Sequence, residues 1–375
     1  MVRKRLIALF LSLAVSGTLL VGCGEDVKEP IRDNTQEQNT QMDNTQTESM
    51  AGEVGATETT AEIEPPAPEY PEVTTEEEIR KFGSVIAVGD AAFELYTYVD
   101  SVAEDYAMAV NHVATTLEGQ SDVYNIVIPL GSGIVFPDNR KEQLDSSDQK
   151  ESMEKIRRKM SEKVKTVDIY DTLMTHRNEY IYFRTDHHWT GLGAYYAYEQ
   201  FCREKGIEPE ALGNYETMTF DGFLGSFYLN DTEKDARLGA NPDVVTAYLP
   251  NSNAIMHVTG SNGVEFDSKV IYDETKAAAG LKYSCFIAGD NPYTEIVNSD
   301  LTDGSSCIVV KESFGNAFVP FLVDHYQTIY VVDYRYWTGS ITELAAQKNV
   351  KDVIFVNNLS MIRNKNMVGK LYRVV

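Results

Sequence analysis

Residues 307–356, CIVVKESFGNAFVPFLVDHYQTIYVVDYRYWTGSITELAAQKNVKDVIFV, decide the fold. Three short apolar runs, Cys307–Lys311, Thr328–Asp333 and Asp352–Val356, alternate with two helical patterns, Gly315–His325 and Ile341–Lys348. Short, continuously apolar runs bounded by turn residues suit strands buried on both faces. A strand-helix-strand-helix-strand order then calls for parallel pairing, with helices covering both sides of one sheet.

Working outward, the same alternation continues upstream. Ser84–Val88 reads as a short buried strand, and Val99, Val102, Tyr106, Val110, Val113 and Leu117 follow a helical period. Val123–Ile128 reads as another strand, stopped by Pro129. A helix over 147–164 with Asp145 or Ser146 as its cap and a strand over 167–169 follow. Tyr180–Thr190 is an extended piece running into a loop, and Thr190 caps a helix that continues to Lys205 and stops at Gly206. Residues 207–282 are less regular and read as an inserted β-rich lobe. The expectation is a three-layer α/β/α domain over 79–375 with a mostly parallel sheet.

The N-terminus is of another kind. Arg3-Lys4-Arg5 precedes a charge-free run from Leu6 to Val21, too short to span a bilayer comfortably, which ends in Leu20-Val21-Gly22-Cys23. This pattern predicts a lipoprotein signal over 1–22, with Cys23 as the lipidated first residue of the mature chain on the outer face of a bacterial membrane. Residues 23–78 repeat Asp-Asn-Thr-Gln, carry Pro65, Pro66, Pro68 and Pro71, and have almost no aromatic residues. They predict an acidic, disordered tether with a reach on the order of 40 Å.

The formal charge is −24, about half of it in that tether, and no basic patch interrupts it, so a nucleic-acid partner is not expected. Apart from Cys23, the cysteines are Cys202, Cys285 and Cys307. Their odd count permits at most one disulfide, and without a CxxC pair they suggest no metal site.

Two stretches carry chemistry. In Thr185-Asp186-His187-His188-Trp189-Thr190, an imidazole suited to proton transfer lies two residues from a carboxylate that extended backbone places on the same side. The same residues also suit a cap for the following helix, or a metal loop of Asp186, His187 and His188. In Lys311-Glu312-Ser313-Phe314-Gly315-Asn316, a hydroxyl sits where a parallel strand gives way to a helix, outside the carboxyl end of the sheet. There the amides of Ser313, Phe314 and Gly315 are candidate oxyanion donors. A lone serine there is more commonly an N-cap, but together with an Asp-x-His element it completes the inventory of a catalytic triad.

Asp186-His187-His188-Trp189 resembles the motif that names the DHHW family of Gram-positive exported proteins. These are similar to the SGNH-hydrolase-like domains of alginate O-acetyltransferase accessory proteins. The resemblance extends over most of residues 80–375, including Phe223-Leu224-Gly225-Ser226-Phe227, Gly289-Asp290-Asn291-Pro292 and Val332-Asp333-Tyr334-Arg335-Tyr336. Glu312 departs from it, since an aspartate is expected beside the serine. The resemblance implies an SGNH-like fold with Ser313 as nucleophile, His188 as general base and then acid, and Asp186 orienting it. Asn357 and Asn358 stand where SGNH enzymes keep an oxyanion-binding asparagine. Arg335 and Tyr334 are candidates to face the cleft, and Trp189 and Phe314 to wall it.

The family further implies an MBOAT-type membrane acyltransferase as partner and acetyl transfer to a surface polysaccharide, with no cofactor and no metal. A surface carbohydrate esterase, and an inactive SGNH module that only binds glycan, are the alternatives.

Overall fold

A computed structural model describes residues 68–231 and 233–375. The expected signal segment 1–22, Cys23 and the tether as far as residue 67 lie outside the described residues.

β1 (Ile79–Phe82), β2 (Val85–Val88) and β3 (Ala91–Glu94) form a separate antiparallel sheet. α1 (Asp100–Thr116), β4 (Asp122–Ile128), α2 (Gln149–Lys159), β5 (Val164–Val167) and α3 (Gly191–Lys205) follow. β6 (Glu216–Phe223) and β7 (Asp243–Leu249) then pair with each other. Next come β8 (Ala254–Thr259), β9 (Glu265–Ser268) and β10 (Tyr293–Asn298). The last third supplies β11 (Ser306–Lys311), α4 (Gly315–Leu322), β12 (Thr328–Asp333), α5 (Ile341–Lys348) and β13 (Asp352–Asn358).

The main sheet has eight strands in the order β5-β4-β13-β11-β12-β10-β8-β9. The run from β5 to β12 is parallel, and β10, β8 and β9 are added antiparallel. Both faces of β4, β13, β11 and β12 are buried, as their largely apolar runs require, while β5 forms the partly exposed edge. Cys307 and Val309 of β11 pack among α3 and α4, whereas Ile308 and Val310 pack among α1 and α5. Lys311 at the end of β11 lies opposite Asp333 of β12 and Val356 of β13, so three strands finish together at one edge. That edge carries the Ser313 turn.

Four sequence expectations change. Ser84–Val88 is not the first strand of the parallel sheet: Gly83 and Gly89, with φ near +61° and +59°, turn the chain back on both sides of β2 and make a local meander. The expected lobe over 207–282 divides, because β6 and β7 form a separate pair while β8 and β9 extend the main sheet through β10. The tether ends before residue 78. Tyr70 Oη donates to Asp171 at 2.5 Å, the amide of Val73 to Asp138 at 2.9 Å, and Thr75 and Asn139 exchange hydrogen bonds. Asp148, rather than Asp145 or Ser146, caps α2 by accepting from the amide of Glu151. The three cysteines are buried and free. Among the described residues no helix is long and apolar enough to cross a membrane.

Candidate active site

The loop between Tyr182 and Trp189 is closed by a β-bridge between those two residues, which displays Asp186 and His188 side by side. Its base is held by the fully buried carboxylate of Asp243. That group accepts from the amides of Arg184 at 3.0 Å and Thr185 at 2.7 Å, from Thr185 Oγ1 at 2.6 Å, and from Tyr180 Oη. Thr185 Oγ1 in turn accepts from the amide of Gly225 at 3.0 Å. A carboxylate with this many donors pins a loop that has almost no regular backbone bonds of its own.

Asp186 Oδ1 lies 2.6 Å from His188 Nδ1 and also accepts from the amide of His188 at 3.0 Å. Asp186 Oδ2 accepts from the amide of Ser226 at 2.7 Å. A carboxylate only accepts, so His188 carries its proton on Nδ1 and presents a lone pair at Nε2. Ser313 Oγ stands 2.7 Å from that nitrogen. The structure therefore brings Ser313, His188 and Asp186 into one hydrogen-bonded line, from a strand-end turn and a loop 125 residues apart.

Burial is the largest influence on His188 and pushes its imidazole down to about 4, with His187 adding and Asp186 and Asp290 opposing. The imidazole is thus neutral well below the usual histidine range. Burial favours a raised pKa for Asp186, but the neighbouring imidazoles and the donors from His188 and Ser226 overcome it and keep the carboxyl far below its ordinary range. The ligand atoms of Asp186, His187 and His188 lie within 4.8 Å of one another. Asp186 Oδ1 and His188 Nδ1 face each other through a hydrogen bond, and His187 Nδ1 is 2.6 Å from Ser226 Oγ.

The surroundings differ from expectation at several residues. The amide of Phe314 donates to Glu312 Oε2 at 3.1 Å and that of Gly315 to the Glu312 carbonyl at 2.9 Å, so neither is a free oxyanion donor. The amide of Ser313 has no partner among the described residues. Gly315 is required instead by close approach, since a Cβ there would stand 2.5 Å from Lys311 Cβ. Asn358 caps the turn after β13 by accepting from Met361, and Asn357 turns to the α1 face, where its Nδ2 lies 3.4 Å from Tyr106 Oη. Neither side chain bonds to Ser313 or His188.

Trp189 is fully buried, and its Nε1 donates to the Phe314 carbonyl at 2.9 Å, which ties the histidine loop to the serine turn rather than lining a cleft. Phe314 and Tyr334 are likewise in the core. Arg335 is clamped by Asp333 at 2.6 Å and Asp290 at 2.9 Å, and the buried Lys311 shares both carboxylates.

Sequence reasoning missed two residues, Asp243 and Tyr283, and the contacts of a third. Glu312 is buried beside Ser313: its Oε1 accepts from the amide of Asn358 at 3.1 Å, and its Oε2 stands 3.3 Å from Ser313 Oγ. Burial raises its pKa. Asp243 lies in the irregular stretch, and only an acid at the head of an apolar strand signals it. Tyr283 stacks on His188, its ring centroid 4.1 Å from the imidazole and 14° from parallel, and no periodicity marks it.

Fold and site together define an SGNH-like α/β domain with a serine-histidine-aspartate line at the carboxyl ends of its strands. The chain belongs to the DHHW family, whose model matches residues 28–332. A DHHW family protein from Eubacterium siraeum aligns over 81% of this chain and 99% of its own, with a TM-score of 0.72 and 28% identity. Bacillus cereus PatB1, solved with a sulfonyl adduct, aligns over 80% of this chain and 99% of its own, with a TM-score of 0.62 and 19% identity. The O-acetyltransferase domain of Pseudomonas putida AlgJ aligns over 77% and 98%, with a TM-score of 0.44 and 11% identity, too distant to argue from. No curated protein matches the chain.

Proposed function

We propose that the protein is an O-acyltransferase that moves an acetyl group through Ser313 to a hydroxyl of a surface polysaccharide. The observation that carries this reading is the continuous line Asp186 Oδ1, His188 Nδ1, His188 Nε2, Ser313 Oγ, with contacts of 2.6 and 2.7 Å. Ser313 Oγ attacks the donor carbonyl and gives its proton to His188 Nε2, which passes it to the departing group. A sugar hydroxyl then attacks the acetyl-serine, loses its proton to His188, and that proton returns to Ser313 Oγ. Asp186 holds the ring and stabilises the imidazolium without taking the proton. The free amide of Ser313 is the oxyanion donor the turn offers.

The setting belongs to the same proposal. A signal ending at Gly22 and a lipidated Cys23 would hold the domain at the outer face of the membrane, beside an MBOAT-type partner able to supply the acetyl group. Replacing Cys23 by Ser should release the protein from membranes and abolish labelling by a fatty-acid analogue; retention and labelling as in the wild type would refute the anchor.

The chemical test uses p-nitrophenyl acetate with an acceptor oligosaccharide, and a sulfonyl fluoride as probe, the adduct class recorded for PatB1. Wild type should acetylate the sugar and react with the probe at Ser313. Ser313→Ala and His188→Ala should lose about 10³-fold or more, while His187→Ala retains measurable activity. Free acetate without acetylated sugar would make the protein an esterase, and probe labelling that survives Ser313→Ala would misplace the nucleophile.

A further inference from the structure

We infer that Tyr283 is a positioning residue that locks the imidazole of His188 and the backbone of Ser313 into one unit. The inference rests on the reading of Ser313 and His188 given above and adds to it a residue from a separate part of the chain.

Tyr283 lies in a 3-10 turn, Ala279–Cys285, well apart from both reacting groups in sequence. It touches both at once. Its ring lies flat on His188, and its hydroxyl donates to the carbonyl of Ser313 at 3.1 Å. The opposing neighbours of the imidazole are His187, 3.9 Å away at 35°, and Phe314, 4.8 Å away at 51°. An imidazole confined in this way cannot turn its Nε2 off the serine without displacing a packed ring. The Ser313 carbonyl also accepts from the amide of Asn316 at 3.2 Å, so the tyrosine hydroxyl completes a two-donor grip on the residue whose Oγ must aim at Nε2. Burial holds the phenol well above its ordinary range, which keeps it a donor at every working pH.

The chain beyond Tyr283 shows how the ring is held. Ile287, Ala288 and Gly289 are left-handed in succession, with φ of 45°, 57° and 76°. For a β-branched residue that conformation is strained, and it persists where the surroundings over-determine it. Here the amide of Ile287 donates to the Val270 carbonyl at 2.9 Å and that of Gly289 to the Phe286 carbonyl at 2.9 Å. Asn291 Nδ2 donates to the Ala288 carbonyl at 3.0 Å. The turn delivers Asp290 to Asn316 Nδ2 at 2.9 Å and to Arg335. The segment is thus fastened to the serine turn at both ends, by Tyr283 and by Asp290.

A flat aromatic face against His188 also favours its cation, which forms each time Ser313 loses its proton. The charged and titratable groups around the ring are Asp186 and His187 on its own loop, Asp290 from the strained turn, Tyr283 itself, and Glu312 beside Ser313. Replacing the aromatic face leaves those charges in place and removes one contribution to the cation.

The test compares full-length wild type, Tyr283→Phe and Tyr283→Leu by two readouts: the rate at which a fluorophosphonate labels Ser313, and the titration of His188 followed by NMR of its ring nitrogens. Tyr283→Phe keeps the face and loses the hydroxyl; labelling should slow roughly 3- to 10-fold with the His188 titration unmoved. Tyr283→Leu loses both; labelling should slow about 10²-fold and the titration should move to lower pH. A His188 titration identical in wild type and Tyr283→Leu overturns the inference, as does wild-type labelling by a folded Tyr283→Phe protein. If the wild type is not labelled at Ser313 while the His188 titration still follows residue 283, the proposed nucleophile fails and the positioning role stands.

Discussion

At the scale of the residue, the strongest constraint on chemistry is the state of His188. Its imidazole is pushed down to about 4 from the ordinary 6.5, chiefly because it is buried. A general base works when neutral, so probe labelling of Ser313 should keep half its rate down to about pH 4, whereas with an ordinary histidine it would have fallen to half near pH 6.5. A pH-rate profile with its acid limb near 6.5 would contradict the burial argument. The same shift has a stability consequence with a definite sign. Between about 4 and 6.5 the unfolded chain binds a proton that the folded His188 refuses, so the fold loses stability as pH falls through that window and regains it as pH rises. His325, whose imidazole is also lowered by burial, acts in the same direction. Replacing His188 by Gln should flatten the dependence of unfolding free energy on pH in that window. Neither effect was legible in the sequence, because Asp-x-His gives the partners of an imidazole but not the apolar rings that desolvate it.

At the scale of the element, the parts best read from sequence are those whose ends are written in local chemistry. α3 runs between the Thr190 cap, which accepts from the amide of Gly193, and Gly206, whose φ of 75° ends it, and both boundaries follow from residue types. β12 and α5 likewise occupy the stretches their patterns indicate. Partner choice was not legible. β2 and β11 look alike as apolar runs, yet one joins a local meander and the other the centre of the main sheet, because pairing depends on turns and neighbours rather than on the run itself. The two motifs of the site were readable as types; the elements that hold them, β7 through Asp243 and the Ala279–Cys285 turn through Tyr283, were not. The short helix Ser226–Asn230 is another such support, and Gly225 before it has no room for a side chain. A Cβ there would collide with Asp186 Cβ and its Oδ2. Gly225→Ala should therefore displace Asp186 from His188 and slow Ser313 labelling by about 10²-fold, with only a modest fall in melting temperature. Labelling at the wild-type rate in a folded Gly225→Ala protein would show that Asp186 does not set the ring.

At the scale of the whole molecule, the parallel sheet brings together residues that the chain keeps far apart, and the segment preceding it is fastened on as a clasp. β13 and β11 are neighbours, as are β13 and β4, so the ends of strands from early and late in the chain share one edge. The clasp comprises residues 70–77 and grips a different surface. Tyr70 reaches Asp171, which Lys150 also holds at 2.7 Å, and Val73 and Asp138 exchange backbone and side-chain bonds. Asp138 in turn takes both its oxygens to Arg177, a buried guanidinium, at 2.9 Å. These few hydrogen bonds contribute about 1 kcal/mol each, and uncovering a buried ion pair adds to their loss. A chain beginning at residue 79 should therefore unfold in denaturant with about 2–4 kcal/mol less stability than one beginning at residue 68. No residue of the clasp bonds to Asp186, His188 or Ser313, so both chains should label at Ser313 at the same rate under conditions where both are folded. Equal unfolding midpoints would make the clasp incidental, and slower labelling of the shorter folded chain would show that it reaches the active site through the β1–β3 meander it adjoins.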